Sequence, residues 1–207
     1  MRTAEKNPGR KAVIGVDEAG RGPLAGPVVS AAVIITEKID GVKDSKSLSE
    51  KQREALFYLI TEKCVAFGVG LSSPEEIDKI NILNASLLSM KRAVYSLFTN
   101  LKNNGAEVPK NFIVLVDGNR KIKDFPFPQE TIVKGDSKIY EISAASIIAK
   151  VVRDRMMCAF AKFYPEYDFC KNKGYPTPAH KKAVKLYGPS PIHRLSFRGV
   201  NEQTLFG

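Results

Sequence analysis

Apolar residues fall along this chain in two patterns, short unbroken runs and longer stretches that recur every three to four positions. Ala12-Val-Ile-Gly-Val-Asp17 is a β-branched run that stops abruptly at Asp17-Glu18 and a glycine-rich turn, which predicts a buried first strand. Val28 to Ile35 and Val65 to Leu71 are further runs, with glycines where a sheet edge or a close approach wants them. Together they predict a meander. Between them, Ser49-Glu-Lys-Gln52 has capping-box spacing and opens a helix carrying Leu56, Leu59 and Ile60 on one face, ending near Lys63.

Ser73-Pro-Glu-Glu76 supplies an N-cap, a first-turn proline and first-turn acids for another helix, with the stretch from about Asn81 also helical. Leu83, Leu87, Met90, Val94, Leu97 and Leu101 then recur as a core stripe. Phe112-Ile-Val-Leu-Val-Asp117 is too short for a typical helix and predicts a central strand covered on both faces, again ending in a carboxylate. Glu130 to Lys134 predicts a fifth strand, and Gly135-Asp136-Ser137 leads into a long helix, Ile139 to Tyr164. Its small residues Ala144, Ala145, Ser146 and Ala149 let it lie close to a sheet. Thr177-Pro178 and Gly188-Pro189 bracket a last helix with a Lys181, Lys182, Lys185 face. The expectation is an α/β protein with a mixed sheet of five strands flanked by helices. Residues 1-155 form its core and 156-207 a helical extension packed on that core, making one structural domain.

Charge narrows the function. Lysine and arginine exceed aspartate and glutamate by ten, a formal +10 over 207 residues, which favours a polyanionic partner. Cys64, Cys158 and Cys170 are an odd set without a Cys-x-x-Cys pair, so reduced thiols are expected rather than a disulfide framework or zinc knuckle. The start of the chain is polar and no apolar stretch reaches the ~18 residues of a membrane span, so a cytoplasmic protein is expected.

Acids end separate apolar runs: Asp17-Glu18 after the first strand, Asp117 after the fourth, with Asp136 before the long helix. In an open α/β sheet, strand ends on one edge bring such residues together. Four clustered carboxylates repel one another unless divalent cations neutralise them, and all-oxygen ligands suit Mg2+ or Mn2+. In a basic protein this points to phosphoryl transfer at a two-metal site. Each acid also has a plainer explanation. Asp117-Gly118 is a hairpin signal, Asp136-Ser137 a helix N-cap, and Asp17-Glu18 a solvated strand end. Gly20-Arg-Gly22-Pro-Leu-Ala25 matches a loose dinucleotide fingerprint, but Pro23 and Pro27 interrupt the helix that fingerprint requires. Its backbone donors suit a phosphate or a sugar hydroxyl.

The run Asp17-Glu-Ala-Gly-Arg-Gly-Pro-Leu-Ala-Gly-Pro27 resembles the signature of the ribonuclease HII family. The likeness continues in order through Asp44-Ser-Lys-Ser-Leu48, Val116-Asp-Gly118, Lys134-Gly-Asp136, Ala144 to Asp154, Gly174-Tyr-Pro-Thr177 and His193-Arg-Leu-Ser-Phe197. It implies a ribonuclease H-like fold and a metal-dependent endoribonuclease that cuts RNA in RNA-DNA hybrids and 5′ of ribonucleotides embedded in duplex DNA, leaving 3′-hydroxyl and 5′-phosphate ends. Asp17, Glu18, Asp117 and Asp136 would hold two Mg2+ or Mn2+ ions, with Asp17 bridging. Gly20, Arg21 and Gly22 would sense the ribose 2′-hydroxyl through backbone groups, and Tyr175 would pack on the adjacent sugar. Lys46, assisted by Ser45, is the candidate phosphate contact. Asp154 is read as a helical ion pair with Lys150, and His180 as structural. The chain is expected to act as a monomer, and the tail Glu202-Gln-Thr-Leu-Phe206 faintly resembles sliding-clamp-binding peptides. A silent nucleic-acid-binding module and a dinucleotide enzyme are the rival readings.

Overall fold

A computed structural model of the protein describes residues 11-43 and 45-201. Its strands are β1 (Ala12–Ala19), β2 (Val28–Ile34), β3 (Ala66–Ser72), β4 (Phe112–Asp117) and β5 (Gln129–Ile132). They form one mixed sheet in the order β3-β2-β1-β4-β5. The first three make the expected antiparallel meander, while β4 runs parallel to both β1 and β5.

The helices start where the caps predict. Helix α1 (Glu50–Lys63) carries the Ser49/Gln52 capping box, and α2 (Pro74–Asn103) carries a Ser73/Glu76 box with a first-turn proline. Each cap pairs backbone N-H groups that a helix start leaves without partners, worth about 1 kcal/mol. The two helical stretches read around Asn81 are one element with a kink, where Asn81 takes φ 65° and ψ 163°. The Asn81 Oδ1 restarts the helix beyond the kink by accepting the Asn84 N-H at 3.1 Å.

Period-two alternation sorts the strands between two apolar layers. Ile14, Val16, Val114 and Val116 face α2, where they meet Met90, Val94, Leu97 and Leu101. On the opposite face Ala31 and Val33 pack against Ile60 of α1 and against Ala144, Ala145 and Ile148 of α3 (Tyr140–Phe160). Removing each such side chain from water contributes roughly 1.5–3 kcal/mol for the larger residues. The last helices, α4 (Phe169–Asn172) and α5 (Pro178–Tyr187), join Ala25, Met157 and Tyr167 in a smaller cluster. No helix of the described residues is long and apolar enough to cross a membrane.

Some local expectations change. Strand β4 is buried on alternate residues and only half-buried between them, because α3 reaches over β1 and β2 far more than over β4. Strand β5 ends at Ile132, two residues short of Lys134, which adopts a left-handed φ of 57° and turns the chain into a short 3-10 segment, Gly135–Ser137. Helix α3 starts at Tyr140 and stops at Phe160 rather than Tyr164. The cysteines also differ from expectation: Cys158 and Cys170 are joined in a disulfide, and Cys64 is buried elsewhere. The chain between Cys158 and Cys170, twelve positions apart, folds back so that α4 lies beside the last turns of α3, a proximity that spacing along the chain does not reveal.

Candidate metal centre and substrate cleft

The site begins with strand register. Strands β1 and β4 run parallel with Ala12 beside Phe112 and Val16 beside Val116, so the next residue on each strand is a carboxylate, Asp17 and Asp117. Ile14, Val16, Val114 and Val116 all face α2, so alternation sends Asp17 and Asp117 to the α3 side together. Glu18 follows Asp17. Ligand oxygens of Asp17, Glu18 and Asp117 lie within 4.8 Å of one another. This pairing rejects the hairpin reading of Asp117-Gly118, since β4 and β5 are parallel.

The fourth predicted acid stands beside this group. Asp136 is buried in the Gly135–Ser137 turn, and its Oδ2 accepts a hydrogen bond from Lys46 Nζ at 3.2 Å. It does not cap α3, whose N-cap is Ile139 and makes no side-chain cap bond. Instead, the neighbouring Gly135 N-H donates to Asp117 Oδ1 at 2.6 Å, and Ser143 Oγ donates to the Asp136 carbonyl at 2.7 Å. The turn is thereby fastened to both β4 and α3.

The three acids act on one another electrostatically. Burial, then the charges of Glu18 and Asp117, push the Asp17 carboxyl well above its ordinary range. Burial also raises Glu18, against the opposing pull of Arg21, and raises Asp117, against the Gly135 hydrogen bond. Buried carboxylates that raise one another's pKa are neutralised by protons or by a bound cation, and a cation takes up the charge of all three together. The donor set fits a hard divalent cation, because every donor is a carboxylate oxygen.

A cleft of about 230 Å³ adjoins these acids, lined by Asp17, Glu18, Gly20, Arg21, Gly22, Ser45, Lys46, Ser146, Lys150 and Tyr175. The predicted glycine loop, the predicted lysine and the predicted tyrosine therefore share one cavity with the carboxylates. Ser45 is buried and bonds Ser146 Oγ at 2.8 Å, while Ser146 in turn hydrogen-bonds Asp17. Lys150 is a cleft residue that sequence reading passed over. It pairs with Asp154 at 2.9 Å, as the four-residue spacing predicts, and stands 5.6 Å from the centre of the Tyr175 ring. Its only signal was its place inside the Ala144 to Asp154 motif. His180 and His193 lie outside the cleft, fully buried, with their Nε2 atoms 3.0 Å apart.

Comparison with known proteins agrees with this geometry. The family model for ribonuclease HII matches residues 14–200. The ribonuclease HII of Marinomonas sp. is 52% identical over 190 residues, covering 91% of this chain and 90% of the relative. Among solved structures, the ribonuclease H2 of Pyrococcus horikoshii shares 33% identity at a TM-score of 0.72, covering 92% of this chain and 95% of that one. The ribonuclease HII of Archaeoglobus fulgidus, solved in complex with PCNA, shares 26% identity at a TM-score of 0.69, covering 90% and 95%. Sequence motifs, sheet topology and clustered acids converge, and the chain belongs to the ribonuclease HII family, endoribonucleases that cleave the RNA of RNA-DNA hybrids and ribonucleotides in DNA.

Proposed function

We propose that this chain carries out that hydrolysis at Asp17, Glu18, Asp117 and Asp136, with Mg2+ or Mn2+ held by these carboxylates. The observation that carries the reading is the meeting of Asp17, Glu18 and Asp117 within 4.8 Å at one edge of the sheet. When bound, a pair of divalent ions activates water for attack on the phosphorus and stabilises the departing 3′-oxygen. Asp17, the most buried of the three and oriented by a hydrogen bond to Ser146, would be the most firmly placed of the residues that hold the ions.

The remaining cleft residues bind and orient. The backbone N-H groups of Gly20, Arg21 and Gly22 take no acceptor among the described residues, and they line the cleft beside Tyr175. They are suited to read a 2′-hydroxyl, the group that separates RNA from DNA at one position. Tyr175 is 40% exposed, presenting ring surface for the neighbouring sugar. Lys46 and Lys150 supply positive charge to the backbone phosphates without reading bases. Ser45, with its hydroxyl turned to Ser146, supports Asp17 more directly than it contacts a phosphate.

The test is cleavage of a labelled DNA duplex containing one ribonucleotide, with Mg2+ or Mn2+, by the native chain and by Asp117→Asn. A cut 5′ to the ribonucleotide that is lost in the variant supports the assignment. Tight binding by folded protein with no cut under either ion would overturn it. The tail from Glu202 to Phe206 lies outside the described residues, as does Asp44. A relative's complex with PCNA makes that tail the segment to delete in a clamp-binding assay, where unchanged binding would remove the idea.

A further inference from the structure

The glycine loop is underlain by two buried guanidiniums whose donors are taken up by backbone rather than by carboxylates. Arg153 on α3 and Arg194 near the C-terminus are both fully buried, and neither forms an ion pair among the described residues. Their donors go to backbone carbonyls. Arg194 donates to the carbonyls of Gly20 at 2.6 Å, Arg21 at 3.1 Å, Pro23 at 2.8 Å and Gly26 at 2.9 Å. Arg153 donates to Ala25 at 3.1 Å, Pro27 at 3.0 Å and Lys173 at 2.9 Å. Between them they hold seven carbonyls, six in the stretch 20–27 and one just before Gly174-Tyr175.

We propose that Arg194 and Arg153 are positioning residues for ribose recognition: their guanidiniums turn the loop carbonyls inward, and the held carbonyls of Gly20 and Arg21 leave the N-H groups of Arg21 and Gly22, which share their peptide planes, facing the cleft. A peptide plane has two polar edges, and fixing one in the interior fixes the other. Gly20 carries a positive φ of 101°, and a Cβ there would stand 2.0 Å from Arg153 Nε, so the glycine is required by the guanidinium beneath it. At Gly22 an added Cβ would meet only Tyr175, at 3.8 Å, so packing within the chain does not demand that glycine. Arg153 ties the loop to the Tyr175 segment through the Lys173 carbonyl, reinforced by the Leu24 N-H, which donates to the Gly174 carbonyl at 2.8 Å. The two sides of the ribose site therefore move as one piece. Burial lowers both arginines, to about 10 for Arg153 and about 9 for Arg194, and each stays protonated at neutral pH. A lysine has the charge but lacks the planar fork of donors that spans several carbonyls.

This inference rests on the reading of the glycine loop given above. Arg194→Lys and Arg153→Lys are compared with the native chain in cleaving a duplex with one ribonucleotide in Mg2+, with a matched all-DNA duplex as competitor. Each variant is expected to lose at least tenfold in kcat/KM while the inhibition constant of the DNA duplex stays within about twofold and the melting temperature is largely kept. Amide exchange is expected to show at least tenfold less protection of the Leu24 and Gly26 N-H groups. Folded variants with native kcat/KM and native protection would overturn the proposal. Variants that fail to fold would also count against it, by showing that the arginines serve the whole fold rather than the loop. A native chain whose KM for the ribonucleotide duplex equals its inhibition constant for DNA would instead overturn the reading of the loop, leaving the exchange result to judge the arginines.

Discussion

Gly15 of β1 lies so close to α3 that a Cβ on it would stand 2.1 Å from the carbonyl carbon of Glu141. This contact sets the start of α3 against the strand that ends in Asp17, and the turn holding Asp136 immediately precedes that helix. Backbone cannot yield as a side chain can. Gly15→Ala is expected to destabilise the protein by roughly 3 kcal/mol, at the upper end of overpacking costs. Denaturant melts would read it, and a midpoint within error of the native chain would show that the helix slides without cost.

The clustered carboxylates make metal binding visible without catalysis. Mn2+ at about one hundred times its dissociation constant should stabilise the native chain by about 2.7 kcal/mol, seen as a rise in Tm. Asp117→Asn removes one of the proposed ligands and also removes repulsion from Asp17 and Glu18. It should be at least as stable as the native chain without metal, and should lose more than half of the metal-induced rise. An undiminished rise would place the ion elsewhere.

Lys46 is 81% exposed at its side chain and 3.2 Å from Asp136 Oδ2. Metal ions would compete for that carboxylate and leave the ammonium to a phosphate. Lys46→Ala is expected to weaken duplex binding about equally for every sequence and to reduce the slope of log affinity against log salt by about 1. A variant whose slope is unchanged would remove Lys46 from the phosphate contacts.

The buried histidines predict an acid limit on stability. His193 Nδ1 accepts the Ser190 N-H at 2.9 Å, so its Nε2-H points to His180 Nε2, and His180 Nδ1-H donates to the Tyr175 carbonyl. A further proton would set two N-H groups against each other. Burial, with His180 adding to it, depresses His193 from 6.5 to about 4, and burial lowers His180. Besides each other, the titratable ring packed on the pair is Tyr167. The unfolded chain then binds more protons between these values, so stability is complete above pH 6.5 and declines toward pH 4, by on the order of 3 kcal/mol for His193. The raised carboxyls of Asp17 and Glu18 act with the opposite sign. The difference between the native chain and His193→Gln isolates the histidine, and parallel stability curves for the two would refute the assignment.

Local rules made much of this protein legible in advance. The capping boxes at Ser49 and Ser73, the proline start and glycine stop of α5, and the β-branched runs act over a few residues, so their elements formed where the spacing placed them. The motifs also named the acids, the glycine loop and Tyr175. Whether Asp117 sat in a hairpin or beside Asp17 was not decidable locally, because the answer lay in the direction and register of β4 against β1. The Cys158 to Cys170 bond likewise depends on a chain reversal beyond the reach of spacing.

The sequence by itself determined the kinds of element, the family resemblance and the chemistry available at each strand end. Only the tertiary structure decided which ends meet, that Lys46 faces Asp136, and that Arg153 and Arg194 sit beneath the loop rather than on the basic surface. The reason is physical. A cap or an apolar period is satisfied by neighbours in the chain, whereas a buried guanidinium is satisfied by carbonyls up to 174 positions away, which come within reach only once the sheet and its helices have closed.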